Sequence, residues 1–152
     1  MFNCILAAFK FTTASQLALK RAIALARSQQ AELHIFNALD YADTGLKKQS
    51  PKSRELIAAA EHQFEAEIAP MITGVPKFAF HCFPADPGVA ICKQAAEIDA
   101  DLIVLGAHQA PGMSLGRLDY VAMTVFEKAP CAVMLVPYIS TEPVNPKLDF
   151  QI

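Results

Sequence analysis

Residues 100–138, ADLIVLGAHQAPGMSLGRLDYVAMTVFEKAPCAVMLVPY, decide the fold. ADLIVLGA at 100–107 is an apolar run of strand length, and CAVMLVPY at 131–138 is a second one. Between them, residues 118–128 place apolar side chains at helical spacing until Ala129-Pro130 ends the pattern. A strand, a helix of several turns and another strand predict a right-handed crossover between parallel neighbours. The intervening loop leaves the carboxyl end of a strand, where open parallel sheets bind their ligands.

The same alternation runs upstream. FNCILAAF at 2–9 has almost no polar alternation, as expected of a central strand covered on both faces. In the following segment Ala18, Leu19, Ala22, Ile23 and Ala26 share one helical stripe, opposite Lys20, Arg21, Arg27 and Ser28, with Thr12 or Thr13 as the cap. AELHIFNAL at 31–39 predicts a second strand. An exposed connection then ends in Ser50-Pro51, a cap and first-turn pair opening a helix over roughly 52–69 that Pro70 and Gly74-Val75-Pro76 bound. KFAFHCFPA at 77–85 predicts a third strand, and Asp86-Pro87 opens a helix to about residue 98. The five strands and four helices alternate throughout, predicting an α/β domain over 1–138 whose parallel sheet has helices on both faces, with 139–152 as a tail.

The chain has 152 residues, 53% of them apolar, and a net charge of −2 with the signs interspersed. One core is expected, with no basic face for nucleic acid and no polybasic patch for a membrane. The N-terminus lacks a positive region before its apolar run, and no run approaches the about 20 residues of a membrane span. A soluble, cytoplasmic protein is expected. Cys4, Cys82, Cys92 and Cys131 show no CxxC spacing, which fits reduced, mostly buried thiols. His81 and Cys82, adjacent on a predicted strand, should point to opposite faces, and His34, His62 and His108 lack partners at metal-ligand spacing, so no metal site is expected. There is no GxGxxG, no GxxxxGK[ST], and no GxSxG around Ser114, which removes the fingerprints of dinucleotide binding, P-loop chemistry and a hydrolase elbow.

Three stretches, NCILAAFKFTTASQLALKRAIALA, ADPGVAICKQAAEIDADLIVLGAHQ and VFEKAPCAVMLVP, occur in an order and at a spacing that resemble the universal stress protein family over residues 2–137. The resemblance implies a five-stranded parallel sheet of the adenine-nucleotide alpha-hydrolase-like type. In ATP-binding members the loop after the fourth strand reads Gly, two residues, Gly, nine residues, Gly, then Ser or Thr. Counted from Gly106, these positions hold Gln109, Asp119 and Tyr120, and counting back from Ala129-Pro130-Cys131 gives the same register. Only the first glycine is kept. Asp119 sets a carboxylate at a helix start where a phosphate would use the free amides. Tyr120 replaces a small hydroxyl with bulk, and Gln109 makes a positive φ costly. Lys10 stands where ATP-binding relatives place an aspartate, and is expected to pair with Asp119 across the cleft.

The resemblance therefore implies a regulatory or stress-response domain with weak or absent ATP binding, similar to the universal stress protein A class, which also carries a His-Gln pair, here His108-Gln109. It implies no catalysis, and a homodimer formed through the fifth strand, Cys131 to Val136. Two alternatives stand beside it. Gly112, Ser114, Gly116 and Arg117 retain enough small residues and one cation to cradle an anion, as an ATP- or AMP-binding switch would. A small-molecule enzyme on the same scaffold is the third reading.

Overall fold

In the computed structural model, which describes residues 1–40, 50–109 and 120–139, the chain opens with β1 (Cys4–Ala8) at the centre of the sheet. Next come α1 (Thr13–Gln29), β2 (Glu32–Asp40) and α2 (Pro51–Gln63). A π-type turn (Phe64–Ile68) and a 3-10 turn (Ala69–Met71) lead to β3 (Phe78–Ala85), followed by α3 (Pro87–Glu97), β4 (Leu102–Gln109), α4 (Tyr120–Lys128) and β5 (Ala132–Ile139). The sheet order is β3-β2-β1-β4-β5, and all pairings are parallel. The predicted class and strand order in sequence hold, with boundaries shifted by one or two residues except at the end of α2.

The direction of strand addition reverses between β1 and β4. Strands added after β1 build outward through β2 to β3; β4 then returns to the other side. Both edges carry a proline, Pro84 in β3 and Pro137 in β5, where a missing backbone N–H costs a central ladder nothing.

Each face of the sheet buries its own layer. On one, Ile5, Ala7, Leu33, Ile35, Leu102 and Val104 meet the predicted α1 stripe of Ala18, Leu19, Ala22, Ile23 and Ala26, with Phe64 and Ile68 completing the cover. On the other, Leu6, Phe36, Ile103 and Leu105 meet Ile91, Cys92 and Ala95 of α3 and Ala122 and Val125 of α4. Each fully buried Leu, Ile or Phe contributes roughly 1.5–3 kcal/mol, so these layers hold the strand ends that frame the site.

Three local expectations are refined. Thr12 rather than Thr13 caps α1, its Oγ1 accepting from the Ser15 amide at 3.3 Å, and Ser50 caps α2 by accepting from Ser53 at 3.1 Å. Asp86 occupies the cap position of α3 without a side-chain capping bond; Pro87 and the Asp86 carbonyl, which accepts from Ala90 at 2.9 Å, start that helix. The helix expected over 52–69 is regular only to Gln63. Its last turns widen into the π-type turn, in which Phe64 and Ile68 are buried and Phe64 stacks on Phe80 with centroids 4.3 Å apart. Among the described residues no helix is long and apolar enough to cross a membrane.

Candidate functional site

At the carboxyl ends of β1, β2 and β4, beside the reversal in strand order, lies an open cleft of about 230 Å³. This is where a doubly wound sheet places a ligand, because the connections from β1 and β4 diverge to opposite faces. Its floor is apolar, built by Ala8, Phe36, Ala38 and Leu105, with Ile91 and Pro87 of α3 as one wall. Lys10, Ser15, Asp40 and Tyr120 supply the polar atoms.

Lys10 is set there by the turn that leaves β1. The Phe9 amide donates to the Phe36 carbonyl at 2.9 Å, and Thr12 donates back to the Lys10 carbonyl at 2.8 Å. From beneath, the buried Asn37 donates Nδ2–H to the Phe9 carbonyl at 2.8 Å while its Oδ1 accepts from the Cys82 thiol at 3.3 Å. A buried amide satisfied on both sides fixes this turn, and with it the base of the lysine.

The structure brings Lys10, Gly106 and Tyr120 into one cleft. Tyr120 begins α4 and is 72% exposed, so its ring stands at the rim and not in the floor. Gln109 closes β4 opposite Ile139. Gly112, Ser114, Gly116, Arg117 and Asp119 lie outside the described residues, as does the Lys10–Asp119 pair. Asp40, at the end of β2, is a carboxylate that shares the cleft with Lys10.

Gly106 has a structural reason to be glycine that needs no ligand. A Cβ built on it would sit 2.6 Å from the carbonyl oxygen of Ala14 and 2.9 Å from its carbon, both backbone atoms of the first turn of α1. The absence of a side chain lets β4 and α1 touch.

A second polar group, not anticipated from sequence spacing, lies at the opposite, amino end of the strands. Register sets Cys4 of β1 against Glu32 of β2 and Leu6 against His34, while β3 contributes His81 opposite Phe36. His34 Nδ1 is 3.0 Å from His81 Nε2, with the rings nearly parallel, and His34 Nε2 is 3.4 Å from Glu32 Oε2. Glu32 Oε1 pairs with Lys77 Nζ at 3.2 Å; that hydrogen bond, and then the one from His34, hold the Glu32 carboxyl below its ordinary range. Burial, then the neighbouring His34, pull His81 down. Cys82 points to the other face, toward Asn37, as adjacency on a strand requires.

All four thiols are free. Burial pushes Cys4 up to about 11, helped by Glu32, Asp101 and Asp99, and pushes Cys82 up to about 11 as well. Cys92 and Cys131 are raised for the same main reason. Burial thus shifts all four toward the protonated, less nucleophilic thiol.

A family model described as the universal stress protein family matches residues 1–137. No curated protein matches the chain. Among solved structures, it resembles the universal stress protein UspA from Lactobacillus plantarum at 24% identity and a TM-score of 0.69, covering 88% of this chain and 97% of that one. A universal stress protein in complex with cAMP is 18% identical with a TM-score of 0.58, covering 90% and 97%. A family member from Arabidopsis thaliana with AMP bound is 16% identical with a TM-score of 0.61, covering 95% and 99%. These likenesses establish the fold. With a family match spanning residues 1–137 and a parallel five-stranded sheet that opens a cleft at its switch point, the chain belongs to the universal stress protein family.

Proposed function

We propose that the chain is a cytoplasmic regulatory domain that acts by association and not by catalysis, and that its cleft binds ATP weakly or not at all. The observation that carries this reading is the make-up of the cleft. Its floor is apolar, Lys10 stands where ATP-binding relatives place an aspartate, and Tyr120 occupies the rim where they place a small hydroxyl. Gly106, the one glycine kept from the family loop, is accounted for by its contact with α1. Four free thiols, two buried and two half-buried, fit a reducing compartment.

Calorimetric titration with MgATP tests the reading. Binding weaker than about 100 μM, roughly 5.5 kcal/mol, is expected, and tighter binding overturns it. A second reading, an AMP- or cAMP-dependent switch, draws on the cleft itself and on the two solved relatives that carry those ligands. Under it, AMP binds tighter than the same threshold while MgATP does not.

Association is expected through β5, as a homodimer. This strand is an edge, its segment from Ala132 to Val136 contains no proline, and Met134 is 37% exposed. A two-fold axis beside such an edge would set two copies of β5 antiparallel and satisfy both. Light scattering at micromolar concentration is expected to give a dimer, and Met134→Lys, which places a charge on the pairing strand, a monomer. A wild-type monomer removes the dimer from the proposal.

A further inference from the structure

We infer that Cys4, Glu32 and His34 form a zinc-binding site at the amino ends of β1 and β2, with His81 as the residue that orients His34. The site is separate from the cleft, which lies at the other end of the same strands.

The sheet register makes the arrangement. Directly opposed residues of parallel strands share a face, and so do residues two apart on one strand. Cys4 opposite Glu32, with His34 two residues beyond Glu32, therefore puts a sulfur, an oxygen and a nitrogen on one face. Their donor atoms all lie within 4.8 Å of one another. The His34 Nε2 to Glu32 Oε2 separation of 3.4 Å equals the edge of a tetrahedron with zinc bonds near 2.05 Å to nitrogen and 2.1 Å to oxygen, roughly 3.4 Å. The matching sulfur edges are about 3.6 Å. The Cys4 thiol faces the Ile98 carbonyl at 3.7 Å, so ligation requires its side chain to turn from that contact toward Glu32 and His34.

The surroundings fit a cation. His34 has both ring nitrogens engaged: Nδ1 faces His81, and Nε2 faces a carboxylate oxygen. Without a metal, Nε2–H donates to Glu32 Oε2 and Nδ1 accepts from His81; with a metal bound, the tautomer reverses, Nδ1–H donating to His81 and Nε2 turning its lone pair to the ion beside Oε2. The third donor, a thiol whose sulfur lies within 4.8 Å of the other two, makes a set that selects a borderline-soft metal over magnesium or calcium. Lys77 holds Oε1 and leaves Oε2 for the metal. Asp101, which accepts from the Asn3 and Cys4 amides at 2.8 and 3.2 Å, adds negative charge close by. Binding replaces the Cys4 thiol proton, released to solvent, with a zinc–sulfur bond. Three protein ligands leave the fourth position to water. The His34–His81 contact is the outer hydrogen bond by which ligating histidines are held in one tautomer.

Cobalt(II), added to the full chain after chelator treatment, is the probe. One equivalent is expected to bind with a thiolate-to-cobalt charge-transfer band in the near ultraviolet, which zinc then abolishes by displacement. Cys4→Ser is expected to remove the band. Glu32→Gln, an isosteric change at a side chain 42% exposed, should leave the fold intact and weaken zinc binding about tenfold or more. His81→Phe should weaken it by about ten- to a hundredfold with the band retained. Cobalt binding without the band, binding that Glu32→Gln leaves unchanged, or no stoichiometric binding each overturns the site. None of these outcomes bears on the MgATP titration.

Discussion

Replacing Gly106 by alanine is expected to lower the unfolding free energy by about 3 kcal/mol, the upper range for overpacking, although only one methyl group is added. The methyl would lie 2.6 Å from the Ala14 carbonyl oxygen, and that atom belongs to the backbone of α1. A side chain can rotate out of such a contact; a helix can only move as a unit. Neither partner is free to move, since β4 is fixed between β1 and β5 while α1 is packed along Ala18, Leu19 and Ala22. Gly88 is the second close approach. A Cβ there meets Thr124 Cβ and Cγ2 at 2.7 and 2.8 Å, and the Thr124 Cβ is fixed to the backbone of α4 while the buried Thr124 is held by its bond to the Tyr120 carbonyl. Gly88→Ala is therefore expected to be destabilising as well, by about 1–2 kcal/mol after a gain of up to about 1 kcal/mol in helix propensity. Urea unfolding of both variants decides the matter, and a Gly106→Ala midpoint equal to wild type refutes the packing account.

Phe36→Ala is expected to cost about 4 kcal/mol and to deepen the cleft at the same time. Phe36 is 1% exposed, lies 4.8 Å from Phe83 between ring centroids, and forms part of the cleft floor. Removing the ring takes cover from Leu6 and Ile91 on one side and opens the floor to solvent on the other. Phe36→Leu, which keeps most of the volume, should cost less than about 2 kcal/mol. Thermal unfolding measures both. A Phe36→Ala loss below about 1 kcal/mol would mean that the floor is soft and that the cleft's depth is not set by core packing.

The alternating architecture is legible in the sequence because each buried strand is an unbroken apolar run and each helix writes its stripe at a different period. Residues 2–9 and Ala18, Leu19, Ala22, Ile23 and Ala26 carry that signal without help from the rest of the chain. The π-type turn is not legible. Phe64 and Ile68, four apart, share a face in a regular helix too, so the apolar period is the same with or without the widening. Of the cleft, the place and three residues, Lys10, Gly106 and Tyr120, follow from the strand-ending loops. Its floor does not, since Phe36 and Ile91 read as ordinary core positions. The amino-end group is hidden for a related reason: Cys4, Glu32, His34 and His81 are far apart in sequence and meet through register alone. Spacing rules tuned to local motifs pass over such pairs, whereas laying β1 and β2 side by side would find Cys4 against Glu32.

The central place of β1 has a consequence for how the protein is made. Its amino end is tied to Asp101 through the Cys4 amide across a separation of 97 residues, and β4 pairs along its free side only after that point. At about 5–20 residues per second, translation leaves that side of an almost wholly apolar strand waiting roughly 5 to 20 s. During this interval β2 can protect one edge and α1 one face, while the other edge, with Leu6 and Ile5 beside it, is bare to neighbouring chains. The half-built sheet, with β1 paired on one edge only, is thus the stage of this fold most open to wrong pairing.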